Sequence, residues 1–232
     1  MVCANSALKR SSQQRAMSCL GFSLALLLLM RISVAKTETG IASTQPVLGA
    51  FEAESDVGDV RRPGSAEFDA AERRYRITAS GANIWGKQDA FHFVWRRAGG
   101  DLTMTADIQF VGQGKNAHRK ACLMVRQDLD ADSAYADVAV HGDGLISLQY
   151  RIAKGEPTKE VQATIKNPAT VRLERHGDRF TVSAARPGGA FASVGSVTLS
   201  LHAPAYAGLA VCSHEPDLSD TAIFSNVGYS SR

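Results

Sequence analysis

The chain is poor in the residues and motifs that define several common protein classes. It contains four cysteines and two tryptophans in 232 residues, aromatic residues make up 7%, and no Cys-x-x-Cys pair occurs. So few cysteines exclude a disulfide-dense scaffold and give no support to a zinc or thioredoxin-like site. Gly-x-Ser-x-Gly, His-Glu-x-x-His and a Walker loop are also absent, which removes the sequence signatures of α/β-hydrolases, zinc proteases and P-loop enzymes.

Long apolar runs are absent too, apart from one near the N-terminus. Residues 1–35 contain four basic and no acidic residues, with an apolar run from Leu20 to Met30 followed by Ser33 and Ala35. This layout is typical of a secretory signal peptide that is cleaved after Ala35. A membrane anchor is the less favoured alternative, because a spanning helix needs roughly 20 apolar residues. We therefore predict a signal peptide over 1–35 and a flexible lead-in over 36–46.

Removal of that leader changes the charge argument. Four of the 26 basic residues leave with it, so 22 remain against 23 acidic residues, and the net charge moves from +3 to about −1. A nearly neutral chain gives no support for binding to nucleic acid or to an anionic membrane. We expect a secreted or periplasmic protein without a nucleic-acid partner and without a membrane span after cleavage.

Short runs that alternate apolar and polar residues follow from residue 47 onward. Gly and Asp separate several of them, as in His-Gly-Asp-Gly at 141–144 and His-Gly-Asp-Arg at 176–179, which is the composition of tight hairpins. Residues 67–75 also fit a helical pattern, although we favour a strand there. The pattern predicts an all-β sandwich or barrel over 47–232. The clearest predicted strands are 91–95, 102–110, 121–126, 133–141, 145–152, 169–175, 179–185, 194–201, 207–214 and 221–229.

Alternation also assigns side chains to the two faces of a sheet. If Leu123 and Val125 face the core, Cys122 and Arg126 face the other way. The resulting polar face combines aromatic, guanidinium, imidazole and carboxylate groups, a mixture that suits sugar binding, although an ordinary solvent-facing surface is the alternative. By the same sorting, that face also carries His92, Tyr135, Asp137, His141, Gln149, Arg151, Cys212 and His214.

A smaller set of residues is the candidate site. Trp85 is either a stacking platform for a sugar or a plug at one end of the sandwich. For an enzyme, His92 or His214 would act as general base with Asp89 or Asp137 as its partner, and Arg126 would stabilise an oxyanion. The acidic run 54–59 resembles the paired carboxylates of glycosidases, but we favour a solvated turn. The predicted ligand-binding residues are Trp85, His92, Arg126, Gln149, Arg151 and His214.

The two cysteines outside the leader give a separate prediction. Cys122 and Cys212 share the same face in an exported chain, so we predict a disulfide between them.

Several segments resemble secreted bacterial domains of the concanavalin A-like lectin/glucanase superfamily, in particular its regulation-of-enolase-like group, which is sometimes attached to TolB-like proteins. The resemblance covers Val47 to Tyr229. It rests on Asn83–Gly86 with Asp89–Val94, Gly100–Thr103, Ala121–Arg126, Ser133–Ala136 and Ala207–His214.

The resemblance implies a jelly roll of two curved antiparallel sheets whose concave side holds a glycan. Lectins, adhesion modules, glucanases and domains acting on oxidised sugars share that fold. The closely spaced Glu and Asp of glucanases are not found here, which argues against ordinary glycosidase activity. The metal motif of legume lectins is not evident either, so we expect no cofactor, and calcium is an unsupported alternative. The expected function is an exported carbohydrate-binding module, and the alternative is a hydrolase or lyase acting on a glycoside or keto-sugar. The sequence leaves turnover and oligomeric state open.

Overall fold

The computed structural model describes residues 48–168 and 170–232, so the expected signal peptide (1–35) and lead-in (36–46) lie outside the described residues. The described residues form 15 β-strands and no α-helix. This part of the chain accordingly offers no helix that is long and apolar enough to span a membrane. In chain order the strands are β1 (Ala53–Val57), β2 (Ser65–Asp69), β3 (Arg74–Gly81), β4 (Asn83–Trp85), β5 (Gln88–Ala98), β6 (Leu102–Val111), β7 (Lys120–Arg126), β8 (Tyr135–His141), β9 (Ile146–Arg151), β10 (Lys159–Gln162), β11 (Thr170–His176), β12 (Arg179–Ala185), β13 (Ala192–Thr198), β14 (Ala205–Cys212) and β15 (Glu215–Ser231).

The strands build two antiparallel sheets that pack as a jelly-roll sandwich, as the alternation and the resemblance predicted. The front sheet has the order β1-β5-β14-β7-β8-β9-β10, and β4 forms a hairpin with the start of β5. The back sheet has the order β13-β12-β11-β6-β15-β3-β2. Neighbouring strands in space are often distant in sequence, which is how β14 comes to lie between β5 and β7.

The inner faces of the two sheets meet in the main apolar core. Leu123 and Leu209 of the front sheet belong to it with Leu173 and Phe224 of the back sheet, all fully buried. Burying one such side chain contributes about 1.5–3 kcal/mol, so this layer dominates the stability of the fold. The parity predicted for β7 and β14 is confirmed here.

The outer face of the front sheet is covered as well, which the sequence did not predict. A second apolar cluster fills it, and Ile84 of the β4 hairpin is part of that cluster. The assignment on β5 is therefore wrong: Phe91 and Phe93 face the outer cluster, whereas His92 lies on the inner side with Val94. A strand buried on both faces has no solvent side for alternation to report.

Residues 67–75 are a hairpin rather than a helix. Asp69 ends β2, and its Oδ1 accepts hydrogen bonds from the backbone N–H groups of Ala71 (3.0 Å) and Glu72 (3.1 Å). Arg73 has a φ of 50° and leads into β3. An Asp side chain that bonds the backbone two residues ahead stabilises a turn, so the competing helical pattern is not realised.

Candidate functional site

One end of the outer face is closed by a buried ion-pair cluster. Asp89 receives two hydrogen bonds from Arg151, from Nη2 to Oδ1 (2.7 Å) and from Nη1 to Oδ2 (2.8 Å), and Arg126 Nη2 lies 3.6 Å from the same carboxylate. Both arginines are fully buried. Burial raises the pKa of Asp89, and the hydrogen bonds from Arg151 and the charge of Arg126 oppose that rise. Arg126 and Arg151, predicted to bind ligand, do not line a pocket among the described residues, because their guanidinium groups face Asp89 inside the protein.

The remaining donors of these arginines hold the covering loops in place. Arg126 Nε donates to the carbonyl of Asp128 (2.7 Å), and Arg151 Nη1 donates to the carbonyl of Ser133 (2.9 Å). Arg151 Nη2 reaches the carbonyl of Gly86 (3.2 Å) at the tip of the β4 hairpin. The loop between β7 and β8 and the β4 hairpin are thus fixed over this end of the sheet.

His92 is buried away from the outer face, between two carboxylates of the edge strand β1. Its Nδ1 lies 2.8 Å from Asp56 Oδ1 and its Nε2 lies 3.0 Å from Glu54 Oε2. Each ring nitrogen of His92 therefore has a carboxylate partner on β1. His92, predicted as a ligand-binding residue or base, thus lies outside the outer face, and residues 54–57 form a strand instead of a solvated turn.

Asp137 lies in the middle of the outer face and is fully buried. Neither of its carboxylate oxygens has a hydrogen-bond partner among the described residues. Burial raises the pKa of Asp137 to about 8, although the positive charge of Lys120 acts to lower it. No hydrogen bond joins Asp89 or Asp137 to His92 or His214 within the described residues, so the predicted acid–base pairs are not formed.

Cys122 and Cys212 are buried free thiols, so the predicted disulfide is wrong. On neighbouring strands Cys122 faces Ala210, which makes Cys212 its diagonal neighbour. Diagonal positions are roughly 7–8 Å apart, beyond the separation of about 4.4–6.8 Å between the Cα atoms of a disulfide. Burial also raises the pKa of the Cys212 thiol to about 12. Alternation showed that the two cysteines share one face of the sheet, but it could not show whether they lie directly opposite each other on neighbouring strands.

The other end of the outer face holds a pocket of about 250 Å³. Three predicted ligand-binding residues, Trp85, Gln149 and His214, line it, and Trp85 is 40% exposed. The rest of the lining consists of Asn83, His118, Lys120, His141, Leu145, Glu160 and Gln162.

Lys120 forms the floor of this pocket with its ammonium group buried. Nζ donates to the carbonyl of Ile84 (2.8 Å), to Asn83 Oδ1 (2.9 Å) and to Gln149 Oε1 (3.1 Å). It also lies 5.3 Å from the centre of the Trp85 ring, a cation–π distance. An ammonium group has three N–H donors, so Lys120 is saturated and ties the β4 hairpin to the sheet.

Imidazole groups and one carboxylate complete the polar lining. Burial, assisted by the charge of Lys120, lowers the pKa of His141 to about 4, and burial also lowers the pKa of His214. Burial alone would raise the pKa of Glu160, but hydrogen bonds from Gln149, Gln162 and Ser147 outweigh it and lower the pKa. At neutral pH, His141 and His214 therefore present neutral imidazole rings beside an ionised Glu160.

Sequence reasoning missed several of these residues for different reasons. Lys120 shares the parity of Cys122 on β7, so extending that strand by one residue would have found it. His141 was assigned to the correct face but not to the site. Glu160 lies on β10, whose sequence Lys-Glu-Val-Gln carries no alternation signal strong enough to predict a strand. No group of three or more His, Cys, Asp or Glu side chains in the described part of the chain is arranged to hold a metal ion.

Known proteins resemble this chain in fold rather than in sequence. No family model and no curated protein matches it. A functionally unknown protein from Saccharomyces cerevisiae superposes with a TM-score of 0.55 at 15% identity, covering 72% of this chain and 92% of its own. The carbohydrate-binding module CBM66 from Bacillus subtilis superposes with a TM-score of 0.50 at 20% identity, covering 78% and 98%. The alginate lyase A1-II′ of polysaccharide lyase family 7 reaches a TM-score of only 0.45 at 14% identity, covering 71% and 82%.

These comparisons define the class of the fold. The structural neighbours are concanavalin A-like jelly-roll folds, in agreement with the two antiparallel sheets described above. At such low identity the likeness establishes the architecture alone, since one fold hosts many functions.

Proposed function

We propose that this protein is an exported carbohydrate-binding module that holds a sugar in the pocket beneath Trp85. The observation that carries the proposal is the partly exposed Trp85 ring beside amide, imidazole and carboxylate groups in one cavity. The apolar face of a sugar ring stacks on an indole, while its hydroxyl groups exchange hydrogen bonds with polar side chains. The carbohydrate-binding role of one structural neighbour agrees with this chemistry.

Export and group membership form the second part of the proposal. The basic, acid-free segment 1–35 with its short apolar run supports cleavage of a signal peptide and a secreted or periplasmic location. The segments around Trp85 and His214 support assignment to the regulation-of-enolase-like group. Fractionation of cells that produce the full-length chain, with N-terminal sequencing of the exported form, tests both cleavage and location.

A glycan array followed by titration calorimetry tests the binding role. Purified protein is applied to neutral and acidic oligosaccharides with and without added calcium. We expect binding to at least one class of sugar, and calorimetry then gives its affinity. Absence of binding to every glycan under both conditions would overturn the proposal.

An enzyme acting on a glycoside or keto-sugar is the second candidate, favoured by the neutral imidazoles in the pocket. His214 presents an unprotonated imidazole at neutral pH, as a general base must, whereas a pKa of about 4 makes His141 a weak base. Glu160 is the only carboxylate among the described residues that line this pocket, whereas most glycosidases use two. Chromatography of the bound glycan after long incubation decides between the two, because new products require an enzyme.

A further inference from the structure

The middle of the outer face of the front sheet is closed to solvent. Cys122 and Met124 of β7, Asp137 and Ala139 of β8, and Ala210 of β14 all show no exposure to solvent. These residues lie in the middle of their strands, directly beside the pocket floor formed by Lys120 and its partners. A chain lying along this face would have to pass over them.

Beyond that middle zone the path is blocked by packed side chains and backbone. Tyr135 is fully buried, and its hydroxyl group lies 3.0 Å from Thr158 Oγ1. The backbone N–H of Thr158 donates to the carbonyl of Gly86 (2.8 Å), and that of Asp89 donates to the carbonyl of Ala131 (2.8 Å). These contacts join separate loops over the end of the sheet, so a ligand could not pass without breaking them.

The pocket also differs from a groove in its size and in the origin of its walls. Its volume of about 250 Å³ is below the roughly 300 Å³ that marks the lower end of most small-molecule sites. Asn83 and Trp85 come from β4, Lys120 begins β7, Gln149 belongs to β9 and Glu160 to β10. Side chains from four strands therefore converge on this small pocket.

We propose that the pocket recognises the end of a glycan chain and not an internal segment. An internal segment needs two exits from its site, and along the outer face one of them is filled by the cluster around Asp137 and Tyr135. A terminal ring needs only one open side. The inference rests on the proposed carbohydrate-binding function, because it specifies which part of a glycan enters that site.

Calorimetry with a length series of one linear glycan tests the inference. Glucan, xylan, mannan and fructan oligosaccharides from disaccharide to octasaccharide are placed on the array, and the series that binds is titrated. We expect one bound protein per chain at every length, and the monosaccharide of the terminal ring should compete fully with the octasaccharide. A number of bound proteins that rises with chain length, or failure of the monosaccharide to compete, would overturn chain-end recognition.

The outcomes separate this inference from the function on which it rests. If no glycan binds, the carbohydrate-binding function falls and the inference falls with it. If glycans bind with a stoichiometry that grows with length, the binding function stands and only chain-end recognition is wrong. The Trp85→Ala variant shows that the measured binding belongs to the pocket, and Phe191→Ala, which changes an exposed aromatic residue of the back-sheet region, is the matched control.

Discussion

At Lys120, three hydrogen bonds leave the buried ammonium group with no donor to spare. Because Asn83 Oδ1 and Gln149 Oε1 both accept from it, the orientation of each side-chain amide is fixed, and Gln149 Nε2 donates to Glu160 Oε1 (2.9 Å). The charge also lies against the Trp85 ring. One lysine thus positions both the stacking surface and two amides of the pocket.

Replacing Lys120 with methionine should loosen the pocket without unfolding the sandwich. The change leaves the carbonyl of Ile84 and two amide oxygens without their donor, and each buried unsatisfied group costs about 1–3 kcal/mol. We expect a loss of at least about 3 kcal/mol in urea unfolding and faster hydrogen exchange over residues 83–85. Lys159→Met, at an exposed position, is the control. Unchanged exchange in the β4 hairpin would contradict the positioning role.

Trp85 is the residue on which glycan affinity should depend most. Removing the indole abolishes the stacking surface while leaving the buried core intact, because the side chain is 40% exposed. We expect Trp85→Ala to weaken binding at least tenfold, equivalent to about 1.4 kcal/mol, and Trp85→Phe to weaken it less. Calorimetry with the oligosaccharide chosen by the array measures both. Equal affinities for the wild-type protein and Trp85→Ala would contradict the site.

Asp137 and His141 give opposite dependences of stability on pH. The folded-state pKa of Asp137 is raised to about 8 from an unfolded value of about 3.9, so its stabilising contribution is present at low pH and is lost as pH rises. The folded-state pKa of His141 is lowered to about 4 from about 6.5. Its contribution to stability is therefore fully present above about pH 6.5 and is lost as the pH falls toward about 4. Between about pH 6.5 and 8, only Asp137 of the two changes stability.

Urea unfolding across that pH range should isolate Asp137. We expect the free energy of unfolding of the wild-type protein to fall by up to about 1.4 kcal/mol per pH unit between about pH 6.5 and 8. Asp137→Asn cannot ionise and should show a flatter dependence over the same range. His141→Asn is the control, because its effect belongs below about pH 6.5. The same slope in Asp137→Asn as in the wild-type protein would refute the raised pKa.

Among the secondary-structure elements, those with clear alternation and turn residues were predictable. β7, β8 and β9 follow the predicted runs closely, because apolar residues recur at every second position between Gly and Asp turns. β1, β4 and β10 were missed because they are short, and β1 and β10 also carry acidic residues. Their pairing depends on partners distant in sequence, as in the antiparallel contact of β1 with β5.

Glu54 and Asp56 of the edge strand β1 hold His92 of β5 between their carboxylates, and we call this pair of contacts the clasp. Replacing His92 with glutamine removes at least one of two hydrogen bonds to charged groups, each worth about 1.5–3 kcal/mol. We expect lower stability and faster hydrogen exchange in Ala53–Val57. His176→Gln is the matched control, because His176 is an exposed histidine that contacts Asp101 in the same way (3.1 Å). Equal exchange in β1 for both variants would show that the clasp does not hold the strand.

For the whole molecule, the fold was predictable and the shape of the site was not. Alternation and turn chemistry are local signals that predict an all-β sandwich or barrel, and the family resemblance narrows this to a jelly roll of two sheets. Whether a sheet face is open depends on where loops and hairpins fold over it, and here Ile84 and the β7–β8 loop cover most of it. Alternation assigned Gln149 and His214 to the face that carries the pocket. It assigned Arg126 and Arg151 to the same face, but it gave no sign that a loop and a hairpin bury these two side chains.

The free state of Cys122 and Cys212 can be checked on the intact protein. Both thiols are buried and Cys212 has a pKa of about 12, so neither forms the reactive thiolate under native conditions. We expect no alkylation of the folded protein and full alkylation of both residues after unfolding without reductant. Peptide mass spectrometry reads each cysteine separately. Alkylation that occurs only after reduction would show that Cys122 and Cys212 form a disulfide.

The location of the bound sugar tests the central claim most directly. A titration of isotope-labelled protein with the oligosaccharide chosen by the array, followed by two-dimensional NMR, reports which residues sense the ligand. The pocket predicts that the largest shifts fall at Trp85, Lys120 and Gln149, with little change at Arg126 and Arg151. Shifts centred on the two arginines, or on the back sheet, would contradict the pocket as the carbohydrate site.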